Sequence, residues 1–258
     1  MRRYCRCTEI AYLRSAVCVV IGISFRIECG SCCWYCYARV NALEDRLSDI
    51  LFLLFIGGVL VLSVSLVFYY NFLRRRAFLE MATHLKFQYY YRSYAIPRRF
   101  AFLRQQRRGR GRHASNILWG VHHKMETYVF DYMFSTGMAN EKIWHYCSFV
   151  VLRHAIACPS LRIYPRSMLV VLGQIVGYDE VYLDIKGFSD SFAVFTTKES
   201  FARQMCSPPL IAYLMSHLEV SVEVEPGWVA VGKEEKLIPE DIPRRMRQAE
   251  KIRSFLAL

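Results

Sequence analysis

Ile50 to Leu73 read ILFLLFIGGVLVLSVSLVFYYNFL, and no charged residue interrupts the chain between Asp49 and Arg74. A helix of about 20 apolar residues crosses roughly 30 Å of hydrocarbon, so this run is long enough for one membrane span. A helix of that length in a soluble core would carry a polar face. Here even Ser63 and Ser65 can return their hydroxyl hydrogen bonds to the preceding turn of their own helix. Tyr69 and Tyr70 stand near the far end, where aromatic rings favour the headgroup layer, and Arg74, Arg75 and Arg76 follow as an interfacial anchor.

Working outward, the charge is uneven. The chain has 258 residues and a net charge of +12, with a sequence pI near 9.3. Residues 1–73 carry a net +2, residues 74–112 a net +11, and residues 113–258 a net −1. The basic balance therefore belongs to one short segment, not to a basic domain. With 54% hydrophobic and 22% charged residues the chain is neither disordered nor collagen-like nor a coiled-coil rod. Arg39 and Arg46 precede the span, whereas Arg74, Arg75, Arg76, Lys86 and Arg92 follow it closely. That bias places the C-terminal part in the cytoplasm.

Residues 74–92 suit a helix continuing out of the membrane, and Ile96-Pro97 breaks it before a flexible basic linker, PRRFAFLRQQRRGRGRH. Arg74, Arg75, Arg76, Arg98, Arg99, Arg104, Arg107, Arg108, Arg110 and Arg112 are the candidate contacts to anionic lipid headgroups. Each basic residue held near such a surface is worth about 1 kcal/mol. The RGRGR run also suits a phosphate backbone, but tethering beside a bilayer favours lipid over RNA or DNA.

On the other side of the span, residues 1–48 hold Cys5, Cys7, Cys18, Cys29, Cys32, Cys33 and Cys36, the last four in CGSCCWYC. Two C-x-x-C pairs invite a zinc or redox reading. No βαβ context surrounds them and Cys5-x-Cys7 is an atypical second pair, so the segment reads as a poorly ordered extension. The apolar stretch from Ser15 to Phe25 is too short to span a bilayer and lacks a clean cleavage site after it.

From Asn116 the pattern changes to short β-rich runs, NILWGVHH, METYVFDYMFS, IWHYCSFVVLRH, SLRIYPR, EVYLDI and FAVFTT, punctuated by Gly, Pro, Asn and Asp. His123-Lys124 and residues 135–140 are the expected first two turns. KESFARQMCSPPLIAYLMSHL is a helix broken at Pro208-Pro209, EVSVEVEPGWVAVGKE a hairpin turning at Pro226-Gly227, and the tail from Pro239 a closing helix. The expected fold is α+β: one transmembrane helix (residues 49–73), a basic juxtamembrane segment (74–112), then a mainly antiparallel sheet with two or three packing helices (113–258).

FDYMFSTG (Phe130–Gly137), CPSLRIYPRS (Cys158–Ser167), Asp184-Ile185, GFSDSFAVF (Gly187–Phe195) and the closing helix together resemble an uncharacterised family of bacterial single-pass membrane-anchored proteins with a C-terminal domain of unknown function. The resemblance covers about residues 50–258. It implies a membrane anchor and a separate domain, and supplies no catalytic residues.

No P-loop, nucleophile elbow or dinucleotide fingerprint occurs, and no cofactor is expected. His145, Cys147, His154 and Cys158 are of metal-ligand type, with His122-His123 near them in sequence. Cys147, Phe149 and Val151 however share one face of a strand and read as a core stripe, so no metal site is expected. Asp131, between aromatics in FDYMF, is expected on the solvent face. The sequence thus points to a cytoplasmic interaction or scaffold domain tethered to the membrane, binding a protein partner or its own copy. The alternative is a membrane-bound hydrolase or metal-dependent enzyme using His122, His123, Asp131 or the His145–Cys158 group.

Overall fold

A computed structural model describes residues 33–100, 102–103, 110–137, 142–172 and 179–256, with side chains described from Asp49 except those of Arg110 and residues 170–172. The C-x-x-C thiols and the arginines at 104, 107 and 108 lie outside the described side chains. The chain divides into two compact units, one ending at Leu66 and the other running Val67–Leu258.

In the first unit the apolar run is part of helix α1 (Cys33–Leu85). Its large side chains face outward all round: Phe52, Phe55, Leu60 and Val61 are each more than half exposed. Such a surface is matched by hydrocarbon rather than by water. Within α1, Asp49–Leu85 is long and apolar enough to cross a membrane, and the apolar window within it is unburied. Ser63 Oγ donates to the Val59 carbonyl at 2.8 Å, the intrahelical return expected of it.

In the second unit, α1 changes character at Arg74. Phe78 is fully buried and Ala82 nearly so. The helix then stops at Leu85, because Lys86 adopts φ +57° and the Phe87 amide donates back to the Ala82 carbonyl at 2.8 Å. A left-handed residue followed by this long return bond is a C-terminal helix cap. Strand β1 (Gln88–Ser93) starts immediately after it. The sequence pattern alone suits a helix through residue 92. The cap and the β-forming run QYYYRS explain the difference, since the three tyrosines gain more from a strand partner than from a lone helix.

The described residues at the start of the segment read as a basic linker are also built into this unit. Ile96–Arg99 form a short helix α2 with Pro97 in its first turn, and Phe100, Phe102 and Leu103 are buried. Six further strands and four further helices follow in order: β2 (Arg110–His122), β3 (Met125–Thr136), β4 (Ile143–Arg153), β5 (Leu161–Pro165), α3 (Arg166–Leu172), β6 (Asp179–Val181), α4 (Phe188–Ser191), β7 (Phe192–Thr196), α5 (Glu199–Met205) and α6 (Pro208–Met215). Strands β8 (Ser221–Glu225) and β9 (Trp228–Lys233) and helix α7 (Ile242–Phe255) complete it.

All nine strands form one antiparallel sheet, in the order β1-β2-β3-β4-β9-β8-β5-β7-β6. The fold is α+β. The two-residue hairpins fall at His123-Lys124 and Pro226-Gly227, and Pro208 opens α6 after the break from α5.

Both faces of the sheet are covered. Val129, Val150, Leu152 and Val222 point to one face, under Phe78, Leu210, Met246 and Ile252 from α1, α6 and α7. Phe130, Phe149, Val151 and Ala193 point to the other, beneath Phe100, Phe102 and Leu103. With apolar cover on both sides, a polar residue in a central strand has no solvent face to occupy.

Candidate functional site

Residues 74, 78 and 82 recur every fourth position and share one side of α1. Phe78 and Ala82 carry that side onto the sheet, and Arg74, one turn earlier, meets Asp131 of β3. Arg74 Nη2 lies 2.9 Å from Asp131 Oδ2 and 2.8 Å from the Leu237 carbonyl oxygen. Asn116 Nδ2 donates to the same carboxylate oxygen at 2.9 Å, and the Leu237 amide donates to Oδ1 at 2.7 Å.

Asp131 is therefore not on a solvent face: its side chain is 7% exposed and that of Arg74 17%. The cost of burying the carboxylate is offset by three donors, one of them charged. Asn116 is brought to it by an irregularity in β2, where the register with β3 shifts between Ser115 and Leu118 and Asn116 takes φ +49°. Bulges of this kind re-aim a side chain. The Tyr89 hydroxyl fixes Asn116 from β1, donating to Oδ1 at 3.0 Å.

Beside this clamp opens a cleft of about 230 Å³, lined among others by Tyr70, Arg75, Tyr91, Arg92, His113 and Lys236. The guanidiniums of Arg75 and Arg92 lie 5.3 and 5.9 Å from the Tyr91 ring centre, and Lys236 Nζ lies 4.0 Å from the Tyr146 ring centre. Tyrosine faces hold the cations in place without neutralising them. Among the described residues no carboxylate forms an ion pair with Arg75, Arg92 or Lys236, and Asp131 is already taken by Arg74. What remains is a cationic, hydroxyl-rimmed cleft suited to an oxyanion of the phosphate class. Tyr70 and Asn71, also in its wall, belong to the last turn of the apolar run.

The arginines singled out in the sequence go to different places. Arg74 and Arg75 enter the cleft. Arg76 points outward and pairs with Glu80 at 2.9 Å. Arg98 is exposed on α2, while Arg99 pairs with Glu126 at 3.1 Å and lies 4.9 Å from the Tyr128 ring centre. Arg110 and Arg112 belong to β2. Arg92 and Lys236 fall outside the candidate contacts: the sequence pattern puts Arg92 in a helix, and Lys236 lies more than a hundred residues along the chain.

The enzyme candidates fall into separate groups, His122 beside His123, and His154 and Cys158 both at the Glu225 carbonyl. His122 and His123 are at the β2–β3 turn, and Asp131 is held in the clamp. His145 Nε2 is 2.7 Å from Thr136 Oγ1, and Cys147 is in the core stripe expected for it, its thiol pushed up to about 12 by burial. His154 Nδ1 accepts from the Ile156 amide at 3.2 Å, which leaves Nε2–H to donate to the Glu225 carbonyl at 3.0 Å. Burial holds this ring below the ordinary histidine range, and it raises the thiol of Cys158. Cys147, His154 and Cys158 are interior groups, while His145 is half-buried.

Helix, sheet and cleft together define an α+β protein with one apolar helix ahead of a nine-stranded antiparallel domain. The crystal structure of the mycobacterial trehalose monomycolate transport factor A, TtfA, is similar to it, with a TM-score of 0.54 at 14% identity over 70% of this chain and 93% of that one. That likeness concerns the fold. No family model matches the chain, and no curated protein matches it.

Proposed function

We propose that this chain is a single-pass protein of a bacterial inner membrane, whose cytoplasmic α+β domain docks on anionic lipid through the cleft between α1, β1 and Lys236 and presents the rest of its surface to a protein partner or a second copy. The observation that carries this reading is the continuity between the apolar run and the cleft: Tyr70, in the final turn of the run, shares a wall with Arg75, Arg92 and Lys236. A headgroup phosphate at the level of Tyr70 would meet three cations that lack a carboxylate partner among the described residues. The arginine bias after the span supports the cytoplasmic side. The similar fold belongs to a protein named as a transport factor, which makes membrane transport machinery a reasonable place to seek the partner.

The full chain in nanodiscs containing equal phosphatidylglycerol and phosphatidylcholine tests the lipid reading, by native mass spectrometry of the lipid retained on release. The parent should keep phosphatidylglycerol preferentially. Replacing Arg75, Arg92 and Lys236 together by Gln should weaken that preference by at least about 10-fold, since three basic residues at about 1 kcal/mol each are involved. Arg76→Gln should change little. Equal retention of both lipids by the parent would refute the proposal.

A further inference from the structure

The β2–β3 turn carries two adjacent histidines. In a regular strand neighbouring side chains point to opposite faces, so His122 and His123 could not reach one ion. Here the strand ends at His122, and the two turn residues, His123 and Lys124, both take left-handed backbone, φ +47° and +65°. A two-residue turn of that kind normally uses Asn-Gly, because a Cβ is disfavoured at both positions. The left-handed turn folds the His123 ring back beside that of His122, with the ring centres 4.0 Å apart. Both rings then face Glu250 of α7: Glu250 Oε1 is 2.8 Å from His123 Nδ1 and 3.5 Å from His122 Nε2.

We propose that His122, His123 and Glu250 form a binding site for a divalent transition-metal ion of the zinc class, joining the β2–β3 turn to the closing helix. The ligand atoms all lie within 4.8 Å of one another. Tetrahedral zinc with bonds of about 2.1 Å sets its ligands roughly 3.4 Å apart, a spacing the three groups bracket and reach by small side-chain rotations. Two imidazoles and one carboxylate are a donor set that zinc, nickel and copper accept and that magnesium and calcium do not favour.

His122 and Glu250 are partly covered, at 28% and 20% side-chain exposure, while His123 is 67% exposed. The ion would thus be gripped on two sides and open on a third, leaving the fourth position to water. The neighbouring Lys251 is turned to other partners, its Nζ over Tyr213 and Phe255, 4.9 and 6.0 Å from their ring centres. His123 and Glu250 lie 127 positions apart in sequence, so the ion would tie two distant elements and raise the melting temperature of the domain.

The test uses the full chain in detergent, stripped with chelator, with Cys5, Cys7, Cys18, Cys29, Cys32, Cys33 and Cys36 all replaced by Ser so that the N-terminal thiolates contribute nothing. Titration with Co²⁺, read by its visible absorption and reversed by Zn²⁺, should show one ion per chain and a higher melting temperature. His123→Ala and Glu250→Gln should each weaken binding more than about 10-fold and abolish the metal-dependent thermal shift. His123 is exposed, so its variant folds, as circular dichroism would confirm; the exposed His84→Ala should bind as the parent does. Absence of a stoichiometric ion in the parent, or binding unchanged in both variants, would overturn the site.

Discussion

Asp131 illustrates how far single residues could be read. Its position among aromatics in FDYMF was visible, and so was the alternation of the strand. Its burial was not, because that depends on α1 returning onto the sheet and on Leu237 arriving from more than a hundred residues away. The same holds for Arg162, Glu223 and Glu225, which look like ordinary strand charges in the sequence. In the structure Arg162 and Glu223 are almost wholly buried, with Arg162 Nη2 3.2 Å from Glu225 Oε1 and Nε 4.0 Å from Glu223 Oε2. One guanidinium faces two carboxylates, and burial pushes Glu223 up to about 7 against the pull of Arg162. The unfolded chain gives up this proton near the ordinary 4.5, while the folded chain keeps it to about 7. The folded state therefore loses stability as pH rises through that window, by about 3 kcal/mol in all. Glu223→Gln should remove the loss. Melting curves of parent and variant should diverge in the variant's favour between pH 4.5 and 7.5; a gap independent of pH would contradict the assignment.

Among elements, those with strong local signals were legible. The charge-free run gave a helix, Pro208-Pro209 split α5 from α6, and Pro226-Gly227 closed the β8–β9 hairpin. Strand β1 was not legible, because its only partner among the described residues is β2 and the signal that ends α1 is a lysine in a left-handed conformation, where glycine is usual. Phe87, just after that cap, packs over Gly120 of β2, and a Cβ at position 120 would collide with its ring. Gly120→Ala should accordingly push Phe87 out, costing about 2 kcal/mol and lowering the melting temperature by about 4–8 °C. Adding Phe87→Leu should restore part of the loss. A Gly120→Ala chain that melts like its parent would show that the joint between α1 and β1 is looser than the structure has it.

At the scale of the molecule, the uneven charge was legible and its arrangement was not. The +11 segment is a list of arginines in the sequence. The fold sorts them, sending Arg74 to the clamp, Arg75 and Arg92 to the cleft, Arg99 to Glu126 and Arg76 to Glu80, and it recruits Lys236 from the loop before α7. The claim that rests on this sorting is that the cleft holds an anionic headgroup when the protein is in its membrane. It is tested most directly by placing a photoreactive amino acid at Tyr91 in the full chain, irradiating intact bacterial membranes, and identifying the adducts by mass spectrometry. Adducts enriched in anionic phospholipid over its share of the membrane are the predicted result. Adducts in proportion to membrane composition, or with no lipid at all, would contradict it.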